Sequence, residues 1–160
     1  MKNYVLSLLV ENNSGVLSRV SGLFSRRGYN ITSLSVGETE NKNISRMTIV
    51  VFADEPTLEQ IKKQLNKLIN TIKITEFDYS NSIQRELILV KVKSSAKNRY
   101  QIIDVAGIFG AKIIDVISDE ITLELTENEN KIRSFIELLK PFGIIEFVRS
   151  GITGIEKKSI

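Results

Sequence analysis

The chain has 160 residues, 42% of them hydrophobic, with 22 basic and 19 acidic side chains for a net charge of +3. That is long enough for one ordinary domain or two small ones and apolar enough to bury a core, while so small and interspersed a charge argues against a nucleic-acid surface. Cys and His are both absent, which excludes disulfides, thiolate metal sites and imidazole acid–base chemistry.

The first element is the apolar run YVLSLLV, Tyr4 to Val10, too short for a helix and expected to be a strand. It stops at Glu11, and Asn12, Asn13, Ser14 and Gly15 follow. Val16, Leu17, Val20, Leu23 and Phe24 then recur on one face of an amphipathic helix, which Gly28 ends. YNITSLSVG (Tyr29 to Gly37) alternates as a strand, ETENKN is a polar loop, and the β-branched ISRMTIVVFA (Ile44 to Ala53) is the next strand. Pro56 opens a second helix, with Leu58, Ile61, Leu65, Leu68 and Ile69 as its buried stripe. TIKITEFDY (Thr71 to Tyr79) completes a βαββαβ order, and DYSNSIQR (Asp78 to Arg85) is a polar joint.

The order then repeats. ELILVKVK (Glu86 to Lys93) is a strand, Ala96 to Phe109 a helix, AKIIDVIS and EITLELT two strands around a tight turn near Asp119. Ile132, Phe135, Ile136 and Leu139 mark a helix closed by Pro141 and Gly143, and GIIEFVRSGITG ends as one strand. Val5-Leu6 aligns with Leu87-Ile88, and Gly28 and Ile31 with Gly110 and Ile113, each 82 positions apart. The fold class is therefore α+β, two consecutive ferredoxin-like βαββαβ domains spanning 1–79 and 80–160. In RMTIVVF, Met47, Ile49 and Val51 face one side, Thr48, Val50 and Phe52 the other. Helices cover one face only, so a partner surface is expected on the second.

A strand ending in NNSG before a helix leaves backbone N–H groups pointing out of a positive helix terminus, a place suited to a carboxylate or phosphate. Gly15 permits close approach, and the Asn12 and Asn13 amides both donate and accept. The turn itself holds no Lys or Arg, which favours a small zwitterion over a large anion. The simpler alternative is a cap, with Asn13 or Ser14 stabilising the helix by about 1 kcal/mol. Arg26-Arg27 reads as a solvated helix end; Glu11, Glu38 and Glu40 lack the spacing of paired acid–base carboxylates. No phosphate loop or dinucleotide fingerprint is present. The middle strands offer only Phe52 for base stacking, against an RNA-binding module. An acylphosphatase-like enzyme would share the order but needs an Arg in the first turn.

VLSLLVENNSGVLSRVSGLFSRRGYNI resembles the start of an ACT domain, a βαββαβ module that binds small amino acids. With ISRMTIVV, LEQIKKQLNKLI, RELILVKV, IIDV and EFVRSGITG, nearly the whole chain is similar to the small regulatory subunit of acetolactate synthase. The resemblance implies a regulator without a catalytic site or cofactor of its own. A separate catalytic subunit would carry thiamine diphosphate, magnesium and FAD, and would condense pyruvate with pyruvate or 2-oxobutyrate toward valine, leucine and isoleucine. The small subunit would raise that activity and impose feedback by a branched-chain amino acid, usually valine. The effector site it implies is Asn12, Ser14, Gly15, Val16 and Leu17 of one chain, with Asn30 and Ile31 from its neighbour in a homodimer of ACT domains. The second domain, with KSSAKN where the first has NNSG, is expected to contact the catalytic subunit. A stand-alone amino-acid sensor acting on another enzyme is the alternative.

The apolar N-terminal run lacks a small-residue cleavage site, so no signal peptide is expected, and no apolar stretch nears the length of a membrane span. The expected setting is the cytoplasm, or the plastid stroma if the chain is plastid-encoded.

Overall fold

A computed structural model describes residues 1–157, which divide into two compact units: Met1–Ile83 joined by the C-terminal segment from Ile152, and Gln84–Gly151.

The first unit is built from β1 (Lys2–Glu11), α1 (Val16–Arg26), β2 (Ile31–Glu38), β3 (Ile44–Ala53), α2 (Glu55–Asn66) and β4 (Thr71–Phe77). The sheet is antiparallel in the order β2-β3-β1-β4. Alternation along β1 and β3 sends Leu6, Leu8, Val10, Met47, Ile49 and Val51 to one face, where Val16, Val20, Leu23 and Phe24 of α1 and Leu58, Ile61 and Leu65 of α2 meet them. Each such side chain contributes about 1.5–3 kcal/mol by leaving water. Asp54 caps α2 by accepting from the Thr57 amide at 2.9 Å, and Pro56 sits in the first turn. The expected stripe ends short of Ile69, which lies beyond α2 and is 88% exposed.

The described residues from Ile152 return to the face opposite the helices. The expected single terminal strand is broken after Arg149: β8 (Ile144–Arg149) ends, Gly151 takes φ 85°, and β9 (Thr153–Glu156) groups with the first unit. Ile152 is buried with Val5, Val50 and Phe77. Val50, expected under a partner, is thus covered within the chain, whereas Phe52 stays 53% exposed. The C-terminal residues from Ile152 therefore do not belong with 84–151, as a division at residue 80 had them.

The second unit contains most of β5 (Ser82–Lys93), then α3 (Arg99–Phe109), β6 (Lys112–Val116), β7 (Glu120–Glu127), α4 (Glu129–Leu139), a short 3-10 turn over Lys140–Phe142, and β8. Its sheet runs β6-β7-β5-β8. Ile88, Val90 and Val92 of β5 and Ile121, Leu123 and Leu125 of β7 pack with Ile102, Ile132, Phe135 and Leu139 of the helices. The repeat is visible in conformation as well as sequence: Gly28 and Gly110 both adopt φ 69°, ending equivalent helices. One buried charge stands out. Glu86, 1% exposed, receives two hydrogen bonds from Arg149, at 2.7 Å from Nε and 2.5 Å from a terminal nitrogen. The carboxylate raises the guanidinium pKa further above its ordinary value.

Candidate site at the first turn

The turn between β1 and α1 is set by Gly15. It takes φ 83°, the left-handed conformation that a side chain disfavours, and stands as the N-cap of α1 with no side-chain cap bond. The Asn13 or Ser14 cap is therefore not formed. The Asn13 amide donates instead to Glu11 at 3.1 Å, and Glu11 also accepts from Asn70 at 2.6 Å. Arg19 donates to Asn70 at 2.7 Å. This chain of side chains draws the polar groups of the turn away from the helix axis. At the start of α1 the Val16 amide donates to the Asn13 carbonyl at 3.3 Å, and no side chain caps the helix at the positive end of its dipole.

Asn12 anchors the turn. Its side-chain nitrogen donates to Glu38 at 3.1 Å and to the Lys42 carbonyl at 2.8 Å, and its side-chain oxygen accepts from the Ser45 hydroxyl at 3.0 Å. Its backbone amide donates to the Asn43 carbonyl at 2.8 Å. The first turn is thereby tied to the loop between β2 and β3. The Asn12 oxygen retains a second lone pair. Glu38 and Ser45 were not among the residues expected at this site: Glu38 stood in the ETENKN loop and Ser45 in the strand ISRMTIVVFA. The register that sets Ser45 opposite Val10 on β1 and Glu38 on β2 brings them to the turn.

Gly15 and Ser14 are exposed, Val16 is buried against the core, and Leu17 is 45% exposed beside the turn. These five predicted residues come together. Asn30 and Ile31 do not join them within one chain. Ile31 is level with Val51 and Tyr4 across the sheet, eight residues of strand from Asn12, or about 26 Å at the usual rise. β2 is, however, an edge strand, with Asn30 at its start and the Asn12 partner Glu38 at its end.

The equivalent turn of the second unit is closed. The helix expected from Ala96 begins at Arg99, and Asn98 accepts from the Ser95 amide at 2.6 Å. Arg99 lies across the turn, donating to the Ile117 and Ser118 carbonyls at 3.0 and 2.7 Å. No group of acidic side chains among the described residues is placed to hold a metal ion.

Two family models match the chain, one described as an AHAS small subunit-like ACT domain over residues 6–73 and one as the small subunit of acetolactate synthase over residues 85–158. The acetolactate synthase small subunit of Mycolicibacterium smegmatis is 51% identical over 154 residues, covering 96% of this chain and 91% of its own length. A probable acetolactate synthase small subunit from Archaeoglobus fulgidus is 49% identical over 148 residues, covering 92% of each. The crystal structure of the Thermotoga maritima acetolactate synthase small subunit covers 100% of both chains with a TM-score of 0.90 and 37% identity.

Proposed function

The chain belongs to the acetolactate synthase small-subunit family, and on that premise we propose that it binds a branched-chain amino acid, valine foremost, at the first turn and regulates a separate catalytic subunit. The observation that carries this reading is the uncapped start of α1 at Gly15, held open beside the anchored Asn12. The amides of Gly15 and Leu17 receive the carboxylate, the Val16 amide being held by the Asn13 carbonyl at 3.3 Å. The free lone pair of Asn12 and the nearby Glu38 meet the ammonium, and Leu17 accepts aliphatic surface.

The site is completed by a second copy. Antiparallel pairing of two β2 edges, with Ile31 opposite the second copy's Glu38, carries Asn30 and Ile31 to the neighbouring first turn. It also removes an exposed strand edge. Effector binding across that seam favours one arrangement of the dimer, and the difference in affinity is the free energy available for control. The unit Gln84–Gly151 contacts the catalytic subunit, a role its open sheet face suits: Leu87, Leu89 and Val148 there are 38%, 38% and 52% exposed. Activation of that subunit, which carries the thiamine diphosphate, magnesium and FAD, occurs in the cytoplasm or plastid stroma.

Calorimetric titration of the pure chain with valine, leucine and isoleucine tests the effector reading, with saturable binding of at least one expected. Purification of the chain with its partners tests the assignment. Recovery of a thiamine-dependent synthase supports it; recovery of a different enzyme supports a stand-alone sensor.

A further inference from the structure

The face of the first sheet opposite the helices divides into an apolar half and a polar half. Strand register puts Ser33, Val50, Val5 and Phe77 in one row across the sheet, and this is the row that Ile152 covers. The next row is Ser35, Thr48, Ser7 and Thr75, four hydroxyls across four strands, and the one beyond is Gly37, Arg46, Leu9 and Lys73. A sheet face under an intrachain cover gains nothing from a row of hydroxyls, because each loses water on burial. Yet Thr48 and Ser7 are only 1% and 2% exposed.

The returning C-terminal strand turns this half into a cavity of about 420 Å³, walled by Arg46, Lys73 and Thr75 on the sheet and by Ile155, Glu156 and Lys157 on β9 and its end. Arg46 and Lys73 flank Leu9 on either side, their Cα atoms about 10 Å apart, two strand spacings. The Arg46 guanidinium donates to the Ser7 hydroxyl at 2.7 Å, and no carboxylate among the described residues pairs with it. Ser7 accepts that bond, so its own hydrogen is left to donate. Arg46 also lines an adjoining cavity of about 350 Å³ with Ser35, Thr48 and Thr153. Three cations, Arg46, Lys73 and Lys157, face one carboxylate, Glu156, which lies 3.5 Å from Lys73.

We propose that this polar half is a second ligand site, distinct from the first turn, for a small dianionic oxyanion compound: the guanidinium, ammonium groups and hydroxyl row bind a phosphate group or a dicarboxylate. Donors of this kind match oxyanions, and Arg presents a planar fork to them. A ligand there touches both the sheet and the C-terminal strand, so its occupancy holds β9 in place.

Calorimetry on the full chain at constant ionic strength tests this, with inorganic phosphate, pyrophosphate and malonate as probes against sodium chloride. The expected result is saturable binding of one probe molecule per chain; the preference between phosphates and malonate identifies the source chemistry. Loss of one charged contact predicts affinity weakened about tenfold or more in Arg46→Gln and in Lys157→Gln. Lys157 is exposed, so that variant keeps the test valid if Arg46→Gln fails to fold. Gly15→Asn, at the first turn, leaves oxyanion affinity unchanged, and amide exchange in β9 slows when phosphate or malonate binds. Absence of saturable binding, equal affinity in the Lys157 variant, or equal loss in Gly15→Asn overturns the proposal.

Discussion

The backbone amide of Ile152 donates to the Ser33 hydroxyl at 3.1 Å, joining positions 119 residues apart in the chain. Around that bond Ile152 fills a small apolar cluster with Val5, Val50 and Phe77, and Gly154 passes so close to the Ile83 carbonyl and the Phe77 ring that an added Cβ would stand 2.9 Å from each. The C-terminal strand is thus a built part of the N-terminal unit.

Truncating its anchor is expected to loosen one unit selectively. Ile152→Ala removes a buried side chain, 4% exposed, and should cost about 2–4 kcal/mol. Gly154→Ala overpacks and should cost about 1–3 kcal/mol. Hydrogen exchange should register both losses in β1, β3 and β4, with protection of α3, α4 and β7 retained.

At the first turn, Gly15→Asn and Gly15→Asp separate strain from charge. Both place a side chain at φ 83°, where an added Cβ meets nothing within 4 Å, so both bear a similar backbone cost of about 1–2 kcal/mol. Only Asp sets a carboxylate beside the amides proposed to receive the ligand carboxylate. Valine affinity by calorimetry, and valine inhibition of the assembled synthase, should fall at least about tenfold further in the Asp variant. Activation of the catalytic subunit should persist in both. Equal sensitivity in the two variants would falsify the carboxylate assignment.

Asn12→Asp tests the anchor. The substitution replaces a donor to Glu38, 3.1 Å away, with a second carboxylate, and like charges at that range repel. The β2–β3 loop should detach, with faster amide exchange at Asn43 and Ile44 and loss of valine response. Asn12→Ala should also lose the response, with a smaller change in loop protection.

The β2 edge is tested by Val36→Lys. Val36 is 44% exposed on that strand, and an ammonium buried at a strand seam is costly. Sedimentation should show a shift from dimer toward monomer, and valine affinity should fall with it. A dimer of undiminished strength would place the seam elsewhere.

Acid weakens the start of α2. The bonds from the Thr57 hydroxyl and amide hold the Asp54 carboxyl below the ordinary aspartate range. A depressed folded-state value contributes stability that is present above the unfolded value and lost as pH falls through the folded one. Below about pH 4, the wild type should therefore lose a component of stability that Asp54→Asn, with no charge to lose, lacks. Parallel pH–stability curves for the two would count against it.

Most of the local structure was legible in the linear pattern. Period-two runs such as ISRMTIVVFA and period-3.6 runs such as VLSRVSGLF set both βαββαβ orders, because burial selects one face of each element. The 82-residue repeat extends to backbone conformation at Gly28 and Gly110. Gly15 was legible as a point of close approach, whereas its left-handed φ of 83° emerged only in the folded chain. The rest depended on contacts between distant segments. Nothing in GIIEFVRSGITG told that the strand breaks at Gly151 and returns to the first unit, since its apolar residues satisfy either placement equally. Whether Asn13 capped the helix or turned to Glu11 depended on Asn70, 59 positions from Glu11. The hydroxyl and cation rows behind the first sheet exist only in the register of four strands, a relation between distant segments that a linear pattern does not carry.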